Sequence, residues 1–348
     1  PCVSAFHAMG SARFGLRSGV MHRWVTMQGS SSSEATKQKV AVIGSGAVGL
    51  YYGGRLQEAG HDVRYLARRD LEVLKEKGLQ IESVDGDVSF DSINVCGDPK
   101  ELGEVDWVLL SLKSYSLPAA KELIAPCMGP STRILAIMNG MGIEDTLSET
   151  FPAESIFGGM AFTCNNRVDG IVKHLKYGKL SVGHNLDSED ELHNVEALFK
   201  GSKVTLETSP CLLYSRWEKL CWNIPFNGLA VAMGGITTDK IVEDKDLREV
   251  ARGLMEEVIL CGNKDLQHHG VPEETRLTEE VVTRMFTLTD TMGPYRPSTM
   301  IDLVEQKPME VEYIFSNPLR RARKLGCACP QMATVIPMIQ GLQRLRGL

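Results

Sequence analysis

Gly44, Gly46 and Gly49 stand at the spacing G-x-G-x-x-G, directly behind the run KVAVI and at the opening of a helical stretch. In that context Gly44 permits a tight turn, Gly46 lets the backbone approach a pyrophosphate, and Gly49 lets the helix pack close to the strand. The unpaired N–H groups of the segment Gly44, Ser45, Gly46, Ala47, Val48 and Gly49 then face an anion. An acidic residue about 20 positions further on would bind a ribose 2′-hydroxyl and repel a 2′-phosphate. Arg68 stands 19 residues after Gly49 and is followed by Arg69, with Asp70 two places late for the acidic part. Guanidinium groups offer fixed, charge-assisted hydrogen bonds to phosphate, so these residues favour NADP(H) over NAD(H).

Other polar residues fall where a ligand of such a fold would lie. Lys113 ends the run VDWVLLSLK and Asn139 ends ILAIMN, and in an open parallel sheet the ligand sits beyond the carboxyl ends of the strands. Lys219, Asn223 and Asn227 recur every four residues among Leu220, Cys221, Trp222, Ile224 and Phe226, forming one polar seam on an apolar helix. Such a seam is costly to bury without polar partners and is expected to face a wet cleft. Pro225 removes a helical hydrogen bond and shifts where Asn227 points.

These residues need a scaffold. Buried β-branched runs alternate with helical stretches from Lys39 to about Asn139, which predicts an α/β domain with a parallel, doubly wound Rossmann-type sheet. Residues 157–183 have β character with turn glycines and are expected to form hairpin strands at the far edge of that sheet. After Pro210 the strand signal stops, and residues 212–232, 244–269, 273–290 and 308–325 repeat apolar positions at helical spacing. The expected organisation is a nucleotide-binding domain over residues 38–208 and an all-helical substrate and catalytic domain over residues 209–348. No internal repeat is present.

The 348 residues carry 43% hydrophobic and 24% charged side chains, ordinary globular usage that excludes a disordered or fibrous chain. A net charge of −6 argues against nucleic acid as a partner, because that affinity needs clustered Lys and Arg. No apolar run approaches the ~18 residues needed to span a bilayer. Nine cysteines are scattered at an odd count, and Cys327 and Cys329 stand without a second pair at zinc spacing, so free thiols and no metal are expected. Residues 1–37 hold Arg13, Arg17, Arg23 and Lys37 against Glu34 alone, with seven serines. That composition predicts a transit peptide and an organellar, plastid or mitochondrial, address; without one the expectation is cytoplasmic.

In order, KVAVIGSGAVGLYYGGRLQEAGHDVRYLAR, LLSLKSY, IMNGMG, RWEKLCWNIPFNGLAVAMGG and PSTMIDLVEQKPMEVEYI resemble the motif series of the ketopantoate (2-dehydropantoate 2-) reductases, over about Lys39 to Leu325. The resemblance implies NADPH-dependent reduction of 2-dehydropantoate to (R)-pantoate, on the way to pantothenate and coenzyme A. It implies Lys219 as the general acid, with Glu310 as its acidic partner. Asn139, Asn223, Asn227 and Ser298 would contact the substrate or the nicotinamide end, Lys113 would line the cleft, and Arg68 would hold the 2′-phosphate. The implied partner is a small 2-oxo acid, and a homo-oligomer is compatible with it. Two departures stand out. Pro225 precedes Asn227, where the family more usually has proline just after that asparagine. STM replaces the commoner SM, which leaves Ser298 and Thr299 as alternative hydroxyl donors.

The chemistry also follows from the residue type. A hydride arriving at a ketone carbon leaves charge on oxygen, and a lysine can both stabilise that charge and supply the proton.

Overall fold

A computed structural model of the chain describes residues 37–348. The leader reading rests on residues that, apart from Lys37, lie outside the described ones.

The first half runs β1 (Lys39–Ile43), α1 (Ala47–Glu58), β2 (Asp62–Leu66), α2 (Leu71–Lys77), β3 (Leu79–Ser83), β4 (Val88–Phe90), β5 (Asn94–Cys96), β6 (Trp107–Leu110), α3 (Ala120–Ile124), β7 (Arg133–Ile137), α4 (Ile143–Ser148), β8 (Ile156–Val168), β9 (Ile171–His184), α5 (Glu189–Phe199) and β10 (Leu206–Ser209). All ten strands form one sheet in the order β4-β3-β9-β8-β7-β6-β1-β2-β5, with β10 also on β9. Strands β8, β7, β6, β1, β2 and β5 run parallel.

Side chains of a strand alternate between faces, and here the two faces feed separate cores. Val40 and Val42 of β1, with Trp107 and Leu109 of β6, pack with Leu50, Tyr51 and Tyr52 of α1. Ala41, Ile43, Val108 and Leu110 pack on the other side with Leu117, Ala120 and Ile124. A strand covered on both faces must be apolar throughout, which is why KVAVI and WVLL read as unbroken hydrophobic runs.

The hairpin of residues 157–183 is present as antiparallel β8 and β9, but it is not at the sheet's edge. Strand β9 is 14 residues long. Its start pairs with β3 at Ile81 and Val172, and its end pairs with β10 at Leu206 and Leu180. One long strand therefore holds two short ones along its outer side and moves the hairpin into the sheet's interior.

The second half is all-helical: α6 (Leu212–Trp222), α7 (Gly228–Ala232), α8 (Thr238–Glu243), α9 (Lys245–His268), α10 (Glu279–Asp290), α11 (Ser298–Val304), α12 (Asn317–Lys324) and α13 (Pro330–Arg346). Helix α9 is started by Asp244, whose carboxylate accepts from the Asp246 and Leu247 N–H groups, satisfying two donors left open by helix geometry. It then runs through the core on Leu254, Met255, Val258 and Cys261. Two widened π turns interrupt the helices, at Asn223–Asn227 and Glu312–Ser316. The first contains Pro225, whose missing N–H is accommodated where the helical ladder already changes register. Among the described residues no helix is long and apolar enough to cross a membrane, and no group of His, Cys, Asp or Glu could hold a metal ion.

Candidate active site

The turn from β1 into α1 carries the three glycines, and each has its own reason. Gly44 has φ +110°, and a Cβ there would lie 2.6 Å from the Ser111 carbonyl oxygen. A Cβ on Gly49 would lie 2.0 Å from the Gly44 oxygen. Gly46 has open space before it and no side-chain cap, so the unpaired N–H groups of α1 face a groove of about 880 Å³. Such a helix start suits a phosphate group. The turn is held by Ser111, whose hydroxyl donates to the Gly44 oxygen at 2.9 Å. Arg68 and Arg69 stand exposed beyond β2 and line the same groove. Arg167 of β8 lines it too; this residue carried no sequence signal.

Lys113 follows β6 and also lines the groove. Its Nζ lies 2.7 Å from Asp302 Oδ2 of α11 and 3.1 Å from Glu310 Oε2. Glu310 also accepts from the Ser114 N–H at 2.9 Å. The two carboxylates are only 8% and 4% exposed. Burial alone would pull the Lys113 pKa down, but Glu310 and Asp302 outweigh it and hold the ammonium well above its ordinary value. Burial pushes Asp302 upward despite the lysine. Glu310 thus meets Lys113 from the other half of the chain, and no contact joins it to Lys219. Asp302 reads in sequence as an ordinary helix acid, and its lysine lies 189 residues away.

Lys219 of α6 donates from Nζ to the Ala161 oxygen at 3.1 Å and lies 4.0 Å from the centre of the Phe162 ring. Burial pulls its pKa to about 8; neighbouring Lys179 adds to this, while Cys164 and Glu218 oppose it. Strands β7 and β8 pair up to Ile137 and Gly159, two residues before Asn139 on the one and Ala161 on the other. Behind Asn139, Gly140 at φ +107° lets the backbone abut Tyr313, and the Met141 N–H donates to the Tyr313 oxygen at 2.8 Å. Lys219 also borders a cavity of about 480 Å³ whose walls include Trp222, Met285, Leu288, Met292 and Tyr295.

Of the polar seam, only Lys219 borders open space; the two asparagines do not face a wet cleft. Asn223 and Asn227 are 3% and 1% exposed. Asn227 Oδ1 accepts from the Thr299 N–H at 3.0 Å, and its Nδ2 donates to Asn223 Oδ1 at 3.4 Å. The cost of burial is met because Asn227 caps the start of α11, leaving Asn223 Nδ2 without a partner. Ser298 is partly buried, whereas Thr299 is fully buried with an unpartnered hydroxyl.

Two family profiles match the chain: "Ketopantoate reductase PanE/ApbA" over residues 40–186 and its C-terminal counterpart over residues 212–343. A 2-dehydropantoate 2-reductase of Nostoc is 34% identical over 85% of this chain and 92% of its own. The crystal structure of 2-dehydropantoate 2-reductase from Geobacter metallireducens is 37% identical, with TM-score 0.82 over 87% of this chain and 99% of that one. D-mandelate dehydrogenase, solved with NADH and anilino(oxo)acetate, shares the fold at TM-score 0.78 and 21% identity, over 89% of this chain and 99% of that one. A glycine turn between strand and helix, a largely parallel sheet and an all-helical second half agree with these matches: the chain is an oxidoreductase and belongs to the ketopantoate reductase family.

Proposed function

We propose that this enzyme reduces 2-dehydropantoate to (R)-pantoate with NADPH, and that Lys219 is the general acid. The observation that carries this reading is the Lys219 ammonium, partly buried against the Phe162 ring and bonded to the Ala161 oxygen of β8, with its pKa pulled to about 8. A proton donor works best when its pKa lies near the working pH. The names of the Nostoc and Geobacter relatives supply the substrate.

In this reading residues 38–208 hold the nucleotide and residues 209–348 supply the acid. The helix start behind Gly44, Ser45, Gly46, Ala47, Val48 and Gly49 receives the pyrophosphate, and Arg68 receives the 2′-phosphate. When bound, the reduced nicotinamide supplies the hydride. Lys219 stabilises charge growing on the ketone oxygen and gives up its proton there. Asn139 and the partly exposed hydroxyl of Ser298 orient the oxo acid. Asn227 holds α11, and Glu310 keeps Lys113 fixed at the cleft.

The experiment is a panel of 2-oxo acids assayed with NADPH and NADH. 2-Dehydropantoate with NADPH is expected to give the highest kcat/KM. Equal turnover of every oxo acid, or of the two cofactors, would refute the assignment. The cavity beside Lys219 favours a second reading. At about 480 Å³ it falls in the size range of sites for larger ligands, so a 2-oxo acid with a bulkier apolar group is the competing substrate class, and its winning the panel would establish that reading.

Arg68→Asp is expected to raise KM for NADPH by about 10²-fold, since it removes a charge-assisted bond and sets a like charge against phosphate. KM for NADH should move less than about threefold, one lost weak contact at most. A common change in both would place the 2′-phosphate elsewhere.

A further inference from the structure

Arg167 joins three parts of the nucleotide groove that the chain order keeps apart. It projects from the end of β8, just before the Asp169–Gly170 turn, and its side chain is 16% exposed. One guanidinium nitrogen, Nη1, meets Asp70 Oδ2 at 2.5 Å and the Ser45 carbonyl oxygen at 3.3 Å. The other two, Nε and Nη2, are buried and have no partner. Asp70 directly follows Arg68 and Arg69 at the carboxyl end of β2. Although two places late for the acid that binds a ribose hydroxyl, it lines the same groove as Arg68 and the glycine turn, and its uncompensated charge there would repel a phosphate.

We infer that Arg167 is a specificity-determining residue for the cofactor: it neutralises Asp70 and turns its remaining donors toward the 2′-phosphate. The inference rests on the NADPH reading above. A planar guanidinium can serve both tasks at once, because its donors point in fixed, separate directions. Nη1 faces the carboxylate and the glycine turn, leaving Nε and Nη2 for a dianion in the same groove. Burying donors without partners is unfavourable, and a phosphate oxygen would satisfy them. The pair also explains how an enzyme with an aspartate at the end of β2 can select a phosphorylated ribose: the negative charge is cancelled from across the sheet.

Binding of two probes to the full chain tests this. Adenosine 2′,5′-bisphosphate carries the 2′-phosphate, and ADP carries only the diphosphate. Arg167→Met should weaken the bisphosphate by about 10- to 100-fold, the worth of one or two hydrogen bonds to a charged group, and ADP by less than about threefold. Asp70→Asn alone should leave the bisphosphate at least as tightly held. The double variant should recover the part of that loss that comes from the uncovered Asp70 charge, which a merely structural role for Arg167 would not produce. Equal losses for both probes would mean that Arg167 grips the diphosphate or only shapes the turn, and would overturn the inference. So would unchanged discrimination in Arg167→Met, or a double variant no better than the single one. A native protein that binds both probes alike would overturn the NADPH reading and this inference with it, whereas a discriminating native protein with an indifferent Arg167→Met overturns this inference alone.

Discussion

Lys219→Ala is expected to lower kcat for 2-dehydropantoate reduction by about 10²- to 10⁴-fold, the usual worth of a positioned acid, with NADPH binding unchanged. The case rests on the contrast between two lysines. Glu310 and Asp302 hold Lys113 charged far above neutral pH, so it keeps its proton throughout the reaction. Lys219 has no carboxylate in contact, and burial brings its pKa to about 8. Environments that push two like groups apart mark which one exchanges protons. The sign for pH follows. Below about 8 Lys219 is an ammonium and can donate; above it the amine is neutral, and reduction should fall about tenfold per pH unit. Oxidation of pantoate, which needs the neutral amine as base, should rise over the same range. Lys219→Arg keeps a cation but holds its proton too firmly, so it should not rescue turnover. A pH–rate profile of the native enzyme and the two variants decides the matter. A Lys219→Ala enzyme with more than about a tenth of native kcat would contradict a role worth at least 10².

The nucleotide half was legible where one local rule settles structure. KVAVI followed by the glycine pattern could only be a doubly covered strand entering a helix, and LEVLKEK was bounded by Asp70 and Gly78. The strands β3, β4 and β5 were not legible. They are three to five residues long and half-exposed, and what stabilises them is the open side of a neighbouring strand. In the helical half, α8 and α11 are only six and seven residues, too short for a periodic stripe to emerge. Helix α13 begins at Pro330 and carries Pro337 inside it, which breaks the pattern a reader relies on. The site shows the same division. Lys219, Lys113 and Asn139 were marked by residue type at a strand end or on a helix face. Asp302 and Arg167 became visible only in three dimensions, since each acts through a partner nearly 100 or more residues away. Asn227 was misread because periodicity reports a shared face and is silent about what covers it.

The placement of Lys219 also depends on a contact that no motif announces. Arg216 of α6 forms a buried ion pair with Glu144 of α4, at 2% and 7% exposure, and donates to the Met138 oxygen at 2.6 Å. Met138 precedes Asn139, and Arg216 precedes Lys219 by three residues, so this one side chain fastens the helix that carries Lys219 to the strand end that leads into Asn139. Arg216→Met leaves the Glu144 carboxylate buried and unpaired, which should cost about 3–5 kcal/mol and lower the melting temperature by roughly 5–10 °C. Turnover should also fall by about tenfold or more, because a displacement of about 1 Å between positioned groups is enough to slow chemistry by 10²-fold. Adding Glu144→Gln separates the two effects. Removing the unpaired charge should restore most of the melting temperature, while kcat stays low, because nothing then ties α6 to Met138. Recovery of both together would mean that the pair only stabilises the fold and has no part in aligning Lys219 with Asn139.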